Sequence, residues 1–261
     1  MRPIPVLMYH HINPHQGDMV TVTPAVFEAQ MKYLHDSGYR TLNIDEFVLY
    51  LSGSLTVREK AVVVTFDDGW LDNYIYALPV IKKYRIKVAI FVVTDRIERA
   101  SEGVTTLSLP VPTHGESKEL IRKGKEERVT LTWKLIQEMA ETGLVDFYSH
   151  TRSHRKCDRL SEEGLLMELK ESKKVMEERL RGACPYLCWP YGKYCSTAVE
   201  IAKEAGYRAL FTTCHGVMNP GSDPFAIKRI VVKDKGGWFK RRMVIYTNPI
   251  LSRAYLAIKK R

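Results

Sequence analysis

The chain has 261 residues, 45% of them hydrophobic, which suits one large α/β domain better than two small ones. Its 40 Lys and Arg against 30 Asp and Glu leave a formal charge of +10, favouring partners that carry phosphate or carboxylate groups, an anionic membrane surface included. Nucleic acid is set aside, because no helix-turn-helix signature, zinc-finger spacing or aromatic RNA-binding motif is present. The five cysteines form an odd set without zinc or Cys-x-x-Cys spacing, so reduced and partly buried thiols are expected. The opening MRPIPVLMYHHI has too short an apolar run for a signal peptide, and no stretch approaches the ~20 apolar residues of a membrane span, so the expected location is cytoplasmic.

In chain order, short Val- and Ile-rich runs alternate with amphipathic stretches of helical length, the pattern of a parallel β/α architecture. Strands are expected at Pro5 to Ile12, Tyr39 to Leu42, Ala61 to Phe66, Val88 to Thr94, Leu144 to Ser149, Tyr186 to Trp189, Ala209 to Thr212 and Ile227 to Val232. Helices are expected after Thr23, read as an N-cap before Pro24, and at Ile44 to Leu51, Asp72 to Lys83, Thr132 to Thr142, Ser161 to Leu180 and Thr197 to Glu204. Such a series fits a barrel or an open doubly wound sheet, and periodicity does not separate the two. Residues Arg99 to Arg128 break the alternation with Gly103, Pro110, Pro112 and Gly115 and read as an insertion over one barrel mouth.

Three segments carry chemistry. In VVVTFDDGW the adjacent carboxylates Asp67 and Asp68 follow a buried strand directly, where α/β folds assemble their sites; a helix N-cap is the plainer alternative. In SHTRSH, His150 and His154 also follow a strand, and a helical turn would bring residues four apart to one side. Two imidazoles and a carboxylate from another strand suit a divalent first-row metal, against the alternative of two surface histidines. In CWPYGKY, a turn at Pro190 and Tyr191 either exposes backbone N–H groups to an oxyanion or is an ordinary tight turn.

The ordered combination TFDDG, HTxxH and PYG resembles the polysaccharide deacetylase family, also called carbohydrate esterase family 4 or the NodB-homology domain, over about the first 230 residues. PVLMYHHI and LTWKLIQEMAETGLVDFYSHT look most like the branch that holds poly-N-acetylglucosamine deacetylases. The resemblance implies a distorted (β/α) barrel with seven or eight strands, formed here by residues 1–232. It also implies metal-dependent removal of N-acetyl groups from an amino-sugar glycan. By position, Asp68, His150 and His154 would be metal ligands, Asp67 the general base, and Tyr191 the backbone donor to the oxyanion. Zinc is the default metal for such a set, with cobalt, nickel or iron as alternatives.

The family's late Leu-x-His general acid is absent, and the role falls to His10, less readily to His11, with His215 a weaker candidate. Many relatives place an Arg before the Pro-Tyr motif to pair with the catalytic Asp, where this chain has Leu187, Cys188 and Trp189. Arg229 is the candidate replacement, unless it is a surface residue. Tyr148 either narrows the cleft or packs behind its strand. Residues 233–261 mix aromatic and basic side chains and read as a basic amphipathic extension packed on the barrel or on a membrane surface, at the inner face if the latter. Rival functions are an amidohydrolase acting on a non-sugar or formylated amide and a catalytically silent glycan-binding module.

Overall fold

The run Ala61–Phe66 is buried at every position, the mark of a strand covered on both faces, and the barrel closes around it. The computed structural model describes residues 2–103 and 111–259. Its strands are β1 (Val6–Tyr9), β2 (His11–Ile12), β3 (Thr21–Val22), β4 (Arg40–Thr41), β5 (Ala61–Phe66), β6 (Val88–Val92), β7 (Val145–Ser149), β8 (Tyr186–Cys188), β9 (Ala209–His215) and β10 (Ile227–Val231). Its helices are α1 (Pro24–Asp36), α2 (Ile44–Leu51), α3 (Leu78–Tyr84), α4 (Thr94–Glu102), α5 (His114–Arg122), α6 (Trp133–Ala140), α7 (Glu162–Leu180), α8 (Ser196–Glu204), α9 (Gly236–Tyr246) and α10 (Pro249–Lys259).

Seven parallel strands close in the order β1-β10-β9-β8-β7-β6-β5, with Val6 to Tyr9 of β1 in register with Val63 to Phe66 of β5. Strand β4 adds to the start of β5, and β2 with β3 forms a separate pair. This is the distorted (β/α) barrel that the resemblance implied. Phe66, Ile90, Phe91 and Phe211 belong to one apolar cluster, and Leu165, Leu187, Trp189 and Leu210 form another beneath α7 and α8.

Several expectations need correction. The run from Pro5 to Ile12 is not one strand: β1 enters the barrel, His10 interrupts it, and His11 and Ile12 pair with Thr21 and Val22 instead. The helix expected from Asp72 to Lys83 begins as a π-turn over Asn73–Ala77, closed by the Leu78 N–H to the Asn73 carbonyl. Pro79 lacks the N–H that an α-turn there would use, and the wider turn accommodates its ring. Thr23 occupies the N-cap position, but its hydroxyl donates to Asp234 at 2.8 Å and caps nothing.

The stretch from Arg99 to Arg128 contains the end of α4, all of α5 and a 3₁₀ turn at Glu126–Arg128; Pro110 lies outside the described residues. A capping box between Thr113 and Glu116 starts α5, and Arg99 pairs with the buried Glu126 at 2.7 Å. Polar composition hid α4, which buries Thr94, Ile97 and Ala100.

The start of the basic tail is fastened to the barrel. Thr23 donates its backbone N–H to Asp234 at 2.9 Å, Gln30 donates to the Lys233 carbonyl at 3.0 Å, and Phe239, Met243 and Tyr246 of α9 are buried. Phe239→Ala would remove a ring that is 1% exposed, and a loss of about 3–5 kcal/mol is expected in denaturant unfolding of the variant against wild type.

Candidate active site

The C-terminal ends of the barrel strands bring the chemical groups together, as parallel β/α folds do. Asp67 and Asp68 leave β5, His150 leaves β7, Pro190 and Tyr191 follow β8, His10 follows β1, and Arg229 reaches in from the middle of β10. His10, Asp67, Asp68, His150, His154 and Tyr191 all line one cleft.

Asp68, His150 and His154 converge. The Asp68 Oδ1 atom lies 3.0 Å from His154 Nε2 and 3.6 Å from His150 Nε2. His150 Nδ1 is 2.7 Å from the Cys188 carbonyl, which can only accept, so Nδ1 carries the proton and the Nε2 lone pair faces Asp68. Burial lowers the His150 pKa to about 4 against the opposing pull of Asp67, and the ring stays neutral. Burial alone would raise the Asp68 carboxyl, but the contact with His154, aided by His10 and His150, holds it well below the usual carboxylate range.

Asp68 Oδ1 is buried and has no hydrogen-bond partner among the described residues, although two ring nitrogens surround it. An orphaned carboxylate oxygen beside two imidazole nitrogens is a donor set that fits a divalent cation. A second grouping, Asp67, His150 and Cys188, fits less well. Arg229 occupies Asp67, and burial pushes the Cys188 thiol far above its usual value, away from the thiolate a metal requires. Trp70 donates from Nε1 to Asp68 Oδ2 at 3.0 Å and fixes the carboxylate plane.

Asp67 is gripped by Arg229 through two parallel bonds, Nη1 to Oδ1 and Nη2 to Oδ2, each 2.7 Å. Arg229 is fully buried and also donates to the Thr212 carbonyl, the Thr65 hydroxyl and the Cys188 sulfur. It is not a surface residue. Burial pushes the Asp67 pKa up, but the guanidinium's charge and hydrogen bonds overcome this and hold it at about 2. His10 Nε2 stands 3.8 Å from Asp67 Oδ2; burial lowers the imidazole's pKa, while Asp67 and Asp68 pull it back up.

Of the two adjacent histidines, only His10 faces this cluster. His11 turns to Asp72 at 2.6 Å and stacks on Trp70 with centroids 4.2 Å apart. His215 meets the Tyr246 hydroxyl at 3.1 Å, and Tyr148 is buried edge-on against Tyr186 at 4.9 Å rather than in the cleft.

His150 and His154 do not share a helical turn. The chain between them is irregular, with Thr151 at φ 66° and His154 at φ 61°, and it doubles back to aim both rings at Asp68. The Tyr191 ring lies 4.6 Å from that of His154, on a backbone at φ 57°. Gly192 follows because any Cβ there would fall 2.0 Å from the Thr213 hydroxyl.

Sequence reasoning missed Trp70, Arg96, His114 and Lys118, which also line the cleft. Trp70 sits beside the Asp pair and was within reach of inference. His114 comes from α5, and its 3.1 Å approach to His11 spans more than a hundred residues with no local signal.

A profile of the polysaccharide deacetylase family matches residues 54–210. YxkH of Bacillus subtilis (strain 168), named for the same family, is 31% identical over 229 residues, 88% of this chain and 71% of that protein. A poly-beta-1,6-N-acetyl-D-glucosamine N-deacetylase of Staphylococcus aureus is 25% identical over 224 residues, 82% of this chain and 68% of that one. Among solved structures, the Streptococcus pyogenes deacetylase PplD in complex with acetate superposes with TM-score 0.75 at 27% identity, covering 89% of this chain and 93% of that one. IcaB from Ammonifex degensii shares the fold, with TM-score 0.75, 24% identity and coverage of 95% and 97%. The chain belongs to the polysaccharide deacetylase family, with relatives named as N-deacetylases, hydrolases of carbon–nitrogen amide bonds.

Replacing Arg229 with Met would strand the Asp67 charge in the core. In the wild type the depressed Asp67 pKa adds stability that is present above the usual carboxylate pKa and is lost as pH falls towards about 2. In the variant the unpaired carboxyl titrates above its usual value, so its penalty is largest at neutral pH and fades on acidification. A deficit of about 3–5 kcal/mol at neutral pH, narrowing towards pH ~4, is the expected result of parallel melts across pH.

Proposed function

We propose that the protein hydrolyses N-acetyl groups from an amino-sugar glycan, using a divalent ion held by Asp68, His150 and His154. The observation that carries this reading is the buried Asp68 Oδ1, without a hydrogen-bond partner among the described residues and facing two imidazole nitrogens. It is supported by the Staphylococcus aureus relative named as a poly-N-acetylglucosamine N-deacetylase and by the complex of PplD with acetate, the acid that N-acetyl hydrolysis releases.

An amide is a weak electrophile with a poor leaving group. Hydrolysis needs an activated water, a stabilised oxyanion and a protonated amine. A divalent ion bound at such a set lowers the pKa of water and polarises a carbonyl oxygen, and zinc, cobalt, nickel or iron all suit the donors.

The chain's own groups do the rest. Asp67 remains anionic throughout the working range because Arg229 holds it so; the Cys188 S–H reaches only one of its oxygens at a time, and the other keeps a second lone pair for the proton of the attacking water. Tyr191 lines the cleft, and its backbone N–H is the donor assigned to the oxygen that gains charge. His10 supplies a proton to the nitrogen as the carbon–nitrogen bond breaks, giving acetate and a free amine. Burial works against its protonated form, and the Asp67 carboxylate 3.8 Å away works for it.

Acetate release from N-acetylglucosamine oligomers by protein reconstituted with each metal tests this directly. Asp67→Asn and chelation are each expected to abolish release, and His10→Ala to lower kcat by about 10²–10⁴-fold with KM little changed. Bound metal without any release would remove this substrate class, and release that survives chelation would remove the metal.

A further inference from the structure

The basic tail leaves one feature that the site does not use. Among the described residues, four of the nine large apolar side chains exposed to solvent, Val244, Ile250, Leu251 and Ile258, lie on α9 and α10. The orientation of α10 is set by its other side: Ser252 is buried, Tyr255 and Leu256 are half-buried, and the Tyr255 ring meets Tyr246 at 5.8 Å beneath the Arg242 guanidinium at 4.2 Å. At ~100° per residue, Ile250, Leu251, Ala254, Ala257 and Ile258 fall within an arc of roughly 120°. Every one of them is exposed, Ile250 at 77% and Ile258 at 74%. A helix packed on a protein surface ordinarily turns polar residues outward, and a contiguous outward apolar arc marks a surface that meets something else.

Charge identifies what that is. From Lys235 to Arg261 the chain carries eight Lys and Arg and no Asp or Glu, against a net charge of +10 for the whole protein. Lys240, Arg241 and Arg253 are exposed: the first two lie one turn before the exposed Val244 on α9, and Arg253 borders the arc on α10. A second copy of this chain would offer the arc an apolar partner but would set one acid-free cationic surface against another. A bilayer with anionic headgroups meets both requirements, with acyl chains for the arc and negative charge for its flanks.

We propose that α9 and α10 form a docking surface for an anionic lipid bilayer, with the apolar arc of α10 inserted at the headgroup boundary. This places the barrel on a membrane surface, where a lipid-linked or nascent glycan is presented. The docking claim does not depend on the chemistry assigned to the cleft, because binding is read without turnover.

The test is co-sedimentation of the full chain with phosphatidylcholine vesicles, with and without phosphatidylglycerol. Wild type is expected to pellet only with the anionic vesicles and to be released by salt. The exposed pairs Ile250→Glu with Ile258→Glu, and Arg241→Gln with Arg253→Gln, should each weaken partitioning by about tenfold or more, with unchanged melting and unchanged acetate release from soluble oligomers. Wild type that stays in the supernatant at low salt, or pellets equally with neutral vesicles, overturns the proposal without any variant. So does an Ile250→Glu, Ile258→Glu protein that binds like wild type. Self-association abolished by that pair, without vesicle binding, would assign the arc to a second copy instead.

Discussion

A guanidinium with no solvent exposure costs several kcal/mol to desolvate, and a barrel core tolerates Arg229 because all of its donors are engaged. Two go to Asp67, and the others to Thr212, Thr65 and Cys188. This pair sets the state of the whole site. With Asp67 committed to Arg229, the neighbouring Asp68 is left to face the histidines, and the two adjacent carboxylates take different environments from one strand end. The same fixed negative charge is what draws the His10 pKa upward against its burial.

Around that pair the backbone departs from regular geometry at the residues that line or enclose the cleft. Among the described non-glycine residues, six have positive φ; Arg85 and Arg181 end helices, and the other four are Asp68, Thr151, His154 and Tyr191. A β-branched Thr in the left-handed region is disfavoured. The hydrogen bonds around it hold it there: the Thr151 N–H donates to the Ser149 hydroxyl, and its own hydroxyl accepts the His154 N–H. Packed strands supply the rigidity, and the irregular residues supply the aim. The first helix of the basic tail joins the same frame through Asp234 and Phe239.

Much of this was legible in the sequence, for identifiable reasons. Strand β5 was readable because a buried parallel strand is a nearly continuous apolar run, and β7 because Val145, Phe147 and Tyr148 carry it despite Asp146; the Asp pair and first His stand out as polar residues directly after them. The replacement of the usual Arg was inferable at Arg229 because charge falls inside a strand of Ile and Val, although only the structure shows that Arg229 is buried while its neighbour Lys228 is exposed. The route from His150 to His154 was not legible, since the left-handed turns at Thr151 and His154 are imposed by tertiary bonds rather than by propensity. Helix α4 was hidden by its polar face, and α5 by the Pro- and Gly-containing stretch that precedes it. The contact between His114 and His11 has no sequence signal at all.

The central claim is that the Arg229–Asp67 pair leaves Asp68, His150 and His154 as a preformed site for one divalent ion. Calorimetric titration of metal-stripped protein with zinc, alongside His150→Ala and His154→Ala, tests it most directly. The account predicts one ion per chain in the wild type and affinity lowered by about 10- to 100-fold or more in each variant. No binding by the wild type, or binding that survives both substitutions unchanged, would contradict it.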